Sequence, residues 1–151
     1  MSELNPFWIT GFVDGEGCFS VSFTIRNKWI EVRPSFSISQ TGKRLCTILE
    51  LIKEFFQCGS IRYSAADGTY KYEVRSLEDL RIRILPHFQT YPLQTAKKKD
   101  WQQLCQVCDL MTCNLHKNKT GALAIIELAY SMNPSGKRKY SKEELLKLIG
   151  S

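Results

Sequence analysis

The nine residues from Ile9 to Gly17 constrain the fold most strongly, because they join a helical pattern to a cluster of acids and glycines. The string reads Ile-Thr-Gly-Phe-Val-Asp-Gly-Glu-Gly. Ahead of it, Asn5 is a favourable N-cap, and Pro6 suits the first helical position because its missing N–H has no partner there in any case. The pattern predicts a helix that begins after Asn5 and ends at the glycines.

Two acidic residues, Asp14 and Glu16, lie near the C-terminal end of this predicted helix. That end carries partial negative charge, so each acid is unfavourable there by about 0.3–1 kcal/mol. A local rule broken inside a strongly patterned segment indicates a functional site. A divalent cation would offset the repulsion, and Glu16 could bind it through a carboxylate oxygen. The alternative is a short buried helix with a glycine C-cap, which leaves the acids unexplained.

One face of the same helix carries small residues. Gly11 and Gly15 are four positions apart, so they share a face on which a second helix could approach closely. Phe7, Trp8 and Phe12 add apolar surface to the segment. The pattern therefore predicts a helix that packs against another helix.

The string resembles the LAGLIDADG motif of the homing endonucleases, in the form I-T-G-F-V-D-G-E-G. The resemblance implies that Glu16 binds the catalytic metal, Mg²⁺ or another divalent cation, with the Gly15 carbonyl as a further ligand. It also implies that the helix packs against a second copy of itself. Because the string occurs once in the chain, that copy would belong to a second subunit of a homodimer. The expected interface residues are Phe7, Trp8, Gly11, Phe12, Asp14 and Gly15.

Four strands are predicted downstream of the motif. Apolar and polar residues alternate over 19–26 and again over about 31–39, with Asn27-Lys28 as a turn between them. Pro34 indicates an edge position or a bulge in the second strand. Two further strands, 60–64 and 69–75, are joined by Asp67-Gly68, a strong hairpin signal.

Helical periodicity marks the remaining segments. A helix over about 43–56 has an apolar stripe that includes Leu45 and is closed by Gly59. A second is capped by Ser76 and ended at 85 by Pro86, and others span about 96–111, 121–132 and a segment after Ser141. The order helix-strand-strand-helix-strand-strand-helix predicts an α+β domain with an antiparallel sheet. This is the αββαββα order of the LAGLIDADG core, whose sheet forms a DNA-binding saddle. We expect a single domain over 1–151, with the core at about 5–112 and appended C-terminal helices at about 118–150.

The outward face of the predicted strands is rich in short polar and charged residues. The net charge of +6 favours a polyanionic partner, and Ser, Arg and Glu can read base edges in the major groove. The alternative is a solvated sheet face. The resemblance implies that this sheet binds a long, nearly palindromic site in double-stranded DNA. The candidate DNA-binding residues are Ser20, Ser22, Thr24, Arg26, Glu31, Arg33, Ser35, Ser37, Arg62, Lys71, Glu73 and Arg75, together with Lys98 and Lys139.

Three more residues are candidates for catalysis beside Glu16. A glutamine such as Gln40 can orient a water, and an arginine such as Arg44 can neutralise charge that develops at phosphorus. Single-motif members of the family carry such a pair at this junction; the alternative is a strand-end glutamine and a solvated arginine. Lys97 opens a run of three lysines at a helix N-terminus, where cations oppose the dipole. The resemblance implies that it polarises the reacting phosphate or water, with simple phosphate binding as the alternative.

The spacing of Cys105, Cys108, Cys113 and His116 is similar to that of a zinc site. Cys105 and Cys108, however, fall in register with the apolar residues of a predicted helix. We therefore expect reduced core cysteines instead of a metal centre.

These observations favour a site-specific DNA endonuclease that hydrolyses phosphodiester bonds with a divalent metal. The alternatives are an RNA-binding intron maturase of the same fold, with intron RNA near the basic loop 137–139, and a DNA-binding module without catalysis. No run of about 18 apolar residues predicts a membrane span, and no signal peptide is evident. We expect an intracellular protein of an organelle (chloroplast or mitochondrion) or of prokaryotic cytoplasm, not a secreted or membrane protein.

Overall fold

Helices and antiparallel strand pairs alternate in the predicted order. The computed structural model describes residues 4–133 and 136–150. The α-helices are α1 (Pro6–Glu16), α2 (Lys43–Phe56), α3 (Leu77–Asp79), α4 (Leu85–Thr90), α5 (Lys97–Thr112), α6 (Lys119–Tyr130) and α7 (Lys142–Gly150). The strands are β1 (Gly17–Arg26), β2 (Trp29–Thr41), β3 (Ser60–Ser64) and β4 (Thr69–Val74). The predicted α+β class is thus confirmed.

The four strands form one antiparallel sheet in the order β1-β2-β4-β3. β1 and β2 pair in unbroken register, from Gly17 opposite Ile38 to Arg26 opposite Trp29. The predicted turn at Asn27-Lys28 joins them, and both residues have positive φ angles of 53° and 62°. Positive φ at both central residues is what a two-residue type I′ turn requires.

Pro34 lies in the second strand of the sheet without a bulge, opposite Val21. β4 pairs with β2 only from Phe36 to Thr41. At Pro34, β2 therefore has a neighbouring strand on one side only, and a missing N–H on the other side removes no ladder hydrogen bond. The predicted edge position holds locally, within a strand that is central elsewhere.

The core lies between one face of the sheet and the helices. Phe19 and Phe36 are fully buried, with ring centroids 5.2 Å apart, and Phe88 packs on both. Leu104 of α5 and Leu145 of α7 are also fully buried in this core. The C-terminal helices therefore share the core of the sheet.

Pro86 does not end the helical segment that begins at Leu77, contrary to the sequence prediction. A π-helical turn spans Leu80–Ile84, in which the Leu85 N–H bonds to the Leu80 carbonyl five residues earlier, and α4 then runs on to Thr90. The widened turn accommodates a proline ring that would clash with the carbonyl four residues before it in a regular α-helix.

The predicted bounds of α2 are confirmed, but its ends differ from expectation. Leu45 is 43% exposed, because the buried stripe begins one turn later at Leu49. The left-handed residue that closes the helix is Gln57, not Gly59. Gly59 has a φ of +90°, and a Cβ there would lie 2.6 Å from a Tyr72 ring carbon, so a glycine is needed for the close approach to β4.

Candidate nucleic-acid interface and catalytic site

α1 passes directly into β1, and this junction defines the candidate site. The predicted N-cap is present, since the Asn5 side chain accepts a hydrogen bond of 2.8 Å from the Phe7 N–H. At the other end, Gly17 donates its N–H to the Val13 carbonyl. A Cβ on Gly17 would lie 2.6 Å from Val13 Cγ1. Glycine therefore allows the helix to turn straight into the strand, with Glu16 as the last helical residue.

Asp14 is neutralised by the chain itself. Its carboxylate accepts hydrogen bonds from the Gln94 N–H at 2.8 Å, from the Thr95 N–H at 3.1 Å and from the Thr95 hydroxyl at 2.7 Å. Burial opposes ionisation, but the hydrogen bonds from Thr95 and Gln94 outweigh it and hold the pKa of Asp14 below its ordinary value. The sequence placed Asp14 on the dimer face, whereas the structure turns its carboxylate toward the loop before α5.

Glu16 has different surroundings. It is exposed and makes no hydrogen bond or ion pair with any residue that the structure describes. Its neighbour Gly15 is exposed as well. Of the two acids that the helix dipole disfavours, only Glu16 therefore keeps a carboxylate available for an external cation.

Lys97, the first residue of α5, lies at the same end of α1. Its Nζ donates to the Val13 carbonyl at 3.2 Å, and that carbonyl also accepts the Gly17 N–H. A helix C-terminus stabilises a cation, which offsets the unfavourable position of Lys97 at the start of its own helix. The structure thus brings Lys97 to the end of the helix that carries Glu16. The neighbouring Lys98 is exposed.

Gln40 and Arg44 are placed differently from one another. Gln40 lies two residues beyond Ile38, which pairs with Gly17, so it sits at the end of the sheet where Glu16 lies. Its side-chain amide donates to the Ser39 carbonyl at 2.8 Å. Arg44 is exposed in the first turn of α2 and bonds to no described residue. The catalytic roles of these residues stay predictions.

The candidate DNA-binding residues of the strands share the face of the sheet opposite the core. The register pairs Ser20 with Ser35, Ser22 with Arg33, and Arg62 with Lys71 across the strands. We call this surface the polar face; it carries Ser20, Ser22, Thr24, Arg26, Glu31, Arg33, Ser35, Ser37, Arg62, Lys71 and Glu73, with Arg75 just beyond the end of β4. The face is continuous across all four strands.

Glu31 organises the part of the polar face nearest the β1–β2 turn. Its carboxylate pairs with Arg26 at 3.1 Å and with Arg33 at 2.8 Å. All three side chains are partly exposed. They remain accessible to a ligand that docks on the face.

Glu73 is buried within the polar face, where the sequence predicted an outward base-reading residue. Only 7% of it is exposed, and its carboxylate pairs with Arg62 at 2.8 Å, Lys71 at 3.4 Å and Arg75 at 3.3 Å. Ser35 Oγ donates to it at 3.2 Å. Burial raises the pKa of Glu73, but the surrounding cations and this hydrogen bond leave it below the ordinary value. Glu73 therefore holds basic side chains in place and is itself largely covered.

Arg138 is a structural residue that the sequence did not single out. Its guanidinium donates to the Val21 carbonyl at 2.6 Å, to the Met132 carbonyl at 3.2 Å and to the Ala129 carbonyl, and lies 4.5 Å from the Tyr130 ring centroid. A run of basic residues gives no signal that one of them is anchored in this way.

This anchored loop adjoins the polar face. Lys139 is exposed, and together with Lys137 and Ser22 it lines one small cavity beside β1. The structure therefore places Lys139 next to the strand candidates, as its predicted role in DNA binding requires.

One face of α1 is apolar and open. Phe7 is 67% exposed and Trp8 43% exposed, and the Trp8 and Phe12 rings stack with centroids 5.1 Å apart. A Cβ on Gly11 or Gly15 would meet no atom of the described chain within 4 Å. Large exposed apolar side chains gathered on one helix indicate an interaction surface.

Cys105 and Cys108 pack in the core as predicted, whereas Cys113 is exposed and the other three free cysteines are only partly buried. Cys108 is buried and Cys105 half-buried in α5, and burial raises their pKa values to about 12 and about 11. Within residues 4–133 and 136–150, no three His, Cys, Asp or Glu side chains come together as a metal site. The same residues include no helix long and apolar enough to cross a membrane.

Comparisons with known proteins match this architecture. The family model described as LAGLIDADG endonuclease matches residues 9–108. The 50.9 kDa protein in ND4 intron 1 of Podospora anserina is 36% identical over 123 residues, which are 79% of this chain and 27% of that protein. The chain thus spans about a quarter of the length of this curated relative.

Two solved structures are similar over nearly the whole chain. The homing endonuclease I-TnaI is 31% identical with a TM-score of 0.84, and the match covers 99% of this chain and 98% of that one. The I-SmaMI LAGLIDADG homing endonuclease bound to cleaved DNA is 33% identical with a TM-score of 0.86, and the match covers 99% of this chain but 49% of that one.

Proposed function

Because this chain belongs to the LAGLIDADG endonuclease family, we propose that it is a homing endonuclease that cuts a long, nearly palindromic DNA site by phosphodiester hydrolysis. The arrangement of residues at the C-terminal end of α1 gives this proposal its main support. There Glu16 is exposed and has no partner among the described residues, and the Lys97 Nζ lies 3.2 Å from the Val13 carbonyl oxygen of the same helix end. The polar face of the sheet begins at the next strand.

The residues at this helix end fit a divalent metal. The Glu16 carboxylate and the Gly15 carbonyl are the hard oxygen ligands that Mg²⁺ takes in proteins. The last carbonyls of a helix have no intrahelical donor, so the Gly15 oxygen can accept a ligand. A divalent ion held there would supply Lewis-acid activation of water and stabilisation of the leaving oxygen.

The protein's own side chains supply the remaining steps. We assign Gln40 to orienting the attacking water through its amide, at the end of the sheet where Glu16 lies. The Lys97 ammonium and the Arg44 guanidinium would stabilise negative charge that develops at phosphorus. For Arg44 this requires the first turn of α2 to face the DNA.

A double-strand cut needs two such sites, and we propose a homodimer that joins them through the apolar face of α1. The chain matches nearly all of I-TnaI but about half of I-SmaMI, so two copies correspond to the length of the I-SmaMI chain. Gly11 and Gly15 are open to a partner helix. The two-fold axis would bring the two Glu16 residues together and would make the target nearly palindromic.

The polar face would read the DNA, as a two-stranded ribbon can in the major groove. Among the described residues, the hydroxyls of Ser20, Ser22 and Thr24 make no side-chain hydrogen bond, so they are available to base edges. The matched I-SmaMI structure is a complex with cleaved DNA. Lys98 and Lys139 would contact phosphates at the margins.

The proposal is tested by a cleavage selection over a library of long duplexes in Mg²⁺, with Glu16→Gln as a control of equal size. We expect one nearly palindromic site to be enriched with the wild-type protein and no cleavage with Glu16→Gln, which should still bind that site. Cleavage by Glu16→Gln would remove Glu16 from catalysis. Specific binding without cleavage by the wild type would leave a DNA-binding module.

The maturase alternative would place intron RNA on a basic surface outside the saddle, for instance around the loop 137–139. Arg138 in that loop is committed to backbone carbonyls and to Tyr130, so fewer basic groups are free for RNA than the sequence suggested. The compartment in which the protein works stays a prediction.

A further inference from the structure

We propose that Asp14 is a positioning residue for Lys97, and that its carboxylate fixes the loop that delivers the lysine to the end of α1. This inference rests on the proposed function, because the role of Lys97 belongs to that function. It gives Asp14 a task within the subunit, distinct from metal binding and from the dimer contact that its place in the motif suggests.

Asp14 accepts three hydrogen bonds from the loop before α5. Both of its oxygens are occupied, Oδ2 by the Gln94 N–H at 2.8 Å and Oδ1 by the Thr95 N–H at 3.1 Å and the Thr95 hydroxyl at 2.7 Å. These bonds join positions 80 and 81 residues apart in the chain. Two consecutive backbone N–H groups on one carboxylate define the path of the loop where it meets α1.

Thr95 connects this anchor to Lys97 through its hydroxyl. While its hydroxyl donates to Asp14, the same oxygen accepts the Lys97 N–H at 3.3 Å. The Thr95 carbonyl accepts the Lys98 N–H at 3.0 Å. The residue held by Asp14 therefore also holds the first turn of α5 and sets where the Lys97 side chain starts.

Lys97 in turn contacts the end of α1. Lys97 Nζ donates at 3.2 Å to the carbonyl of Val13, the residue before Asp14. The hydrogen bonds and the covalent chain thus form a closed ring through Val13, Asp14, Thr95 and Lys97. A lysine stem has four rotatable bonds and loses conformational entropy when it is ordered. Because the ring fixes the backbone of Lys97, only the side-chain stem still has to be ordered, and the Val13 carbonyl does this.

A carboxylate has about four lone-pair acceptor sites, and hydrogen bonds within the chain leave Asp14 few of them for a metal ion or a dimer contact. Its oxygens accept three hydrogen bonds within the chain, whereas Glu16, two residues on, accepts none from the described residues. Asparagine at position 14 would keep one acceptor oxygen and turn an N–H₂ donor toward a loop that offers donors. Asp14→Asn therefore tests the anchor with almost no change in size.

The first experiment measures amide hydrogen exchange of the free wild-type protein and Asp14→Asn without metal or DNA. We expect Gln94 and Thr95 amides to be protected in the wild type and to exchange at least about tenfold faster in Asp14→Asn. Unchanged protection would overturn the proposal. Because neither metal nor substrate is present, this result is independent of whether the protein cleaves DNA.

The second experiment is a double-mutant cycle on single-turnover cleavage, with Asp14→Asn, Lys97→Met and both together. A misplaced catalytic group lowers rates by roughly 10- to 100-fold, and we expect each single variant to fall in that range with unchanged DNA affinity. The double variant should be no slower than Lys97→Met within about threefold, because residues that act through one another are not additive. Effects that multiply would show that Asp14 acts separately from Lys97.

Three further variants test the relay and its specificity. Thr95→Val breaks the relay and should reproduce Asp14→Asn, while Thr95→Ser keeps the hydroxyl and should restore the rate. Asn118→Ala removes a comparable loop anchor, since the Asn118 side chain accepts the Gly121 N–H at 2.8 Å at the start of α6. It should lower stability and leave cleavage and the Gln94 and Thr95 amides unchanged. An equal loss of cleavage in Asn118→Ala would indicate a general structural effect and overturn the assignment.

Discussion

Asp14 and Glu16 are two residues apart in α1, yet their carboxylates have opposite surroundings. Asp14 is covered by donors of the loop before α5, and Glu16 is exposed and unpaired within the described chain. The helix dipole disfavours both acids, so electrostatics along the helix does not distinguish them. Which of the two is neutralised depends on a loop about 80 residues away, and no local pattern reports that.

Glu73 should control how specifically the polar face binds DNA. Glu73→Gln should raise affinity for random duplex DNA and weaken discrimination between sites, because Arg62, Lys71 and Arg75 would lose the carboxylate that orients them. The measurement is a salt titration of binding to the selected site and to random DNA. Glu31→Gln makes the same change at a more exposed acid and should have a smaller effect on discrimination. An unchanged ratio of specific to random binding in Glu73→Gln would contradict the prediction.

We expect the stability of the protein to depend on pH because His87 is half-buried. Its Nε2 lies 3.1 Å from the Thr10 hydroxyl, and burial lowers its pKa from 6.5 to about 4. Between these pH values the unfolded chain binds a proton that the folded protein excludes, so the free energy of unfolding should fall as the pH drops from 6.5 toward 4. Urea titrations over this range should show a shallower pH dependence for His87→Gln than for the wild type. Parallel curves would show that other groups carry the effect.

At the scale of whole elements, contacts with a neighbouring helix or turn accommodate residues that are unfavourable within their own helix. Lys97 opposes the dipole of α5 but lies at the C-terminal end of α1, where a cation is favourable. Pro86 would end a regular helix, but a π-helical turn before it lets α4 continue to Thr90. Periodicity located the helices to within a few residues, apart from the continuation past Pro86 to Thr90. The joints between the helices depend on the packing of neighbouring elements.

The junction of α1 and β1 should be sensitive to side-chain volume. Gly17→Ala would place a Cβ 2.6 Å from Val13 Cγ1 and 3.0 Å from the Val13 carbonyl oxygen. Overpacking of this kind costs about 1–3 kcal/mol, which denaturant unfolding would detect. Gly150→Ala is the control, because a Cβ there meets no described atom within 4 Å. Equal stability of the two variants would mean that the helix end can relax.

At the scale of the whole molecule, two surfaces converge at the end of α1. The polar face of the sheet and the apolar face of α1 both reach the residues around Glu16. A homodimer through α1 would therefore join two polar faces and two Glu16 residues at one axis. The assembly, and not the single chain, would complete the catalytic site.

Gly11→Leu tests this assembly. A leucine would project from the open face of α1 and separate the paired helices, so we expect a monomer that folds normally and cleaves no DNA. Sedimentation would measure the oligomeric state and circular dichroism the fold. The exposed Leu45, far along the chain, offers a control as Leu45→Ala, which should remain dimeric. A dimeric and active Gly11→Leu would place the interface elsewhere.

The sequence by itself determined the order of elements, the α+β class, the family and the composition of each sheet face. These follow from local periodicity, caps and turns, such as Asn5 before α1 and Asn27-Lys28 between β1 and β2. Only the tertiary structure decided that Asp14 holds a loop, that Glu73 is covered by basic side chains, and that Arg138 is bound to the edge of β1. The physical reason is that hydrogen bonds and ion pairs act over about 3 Å in space, between residues whose separation along the chain leaves no periodic signal.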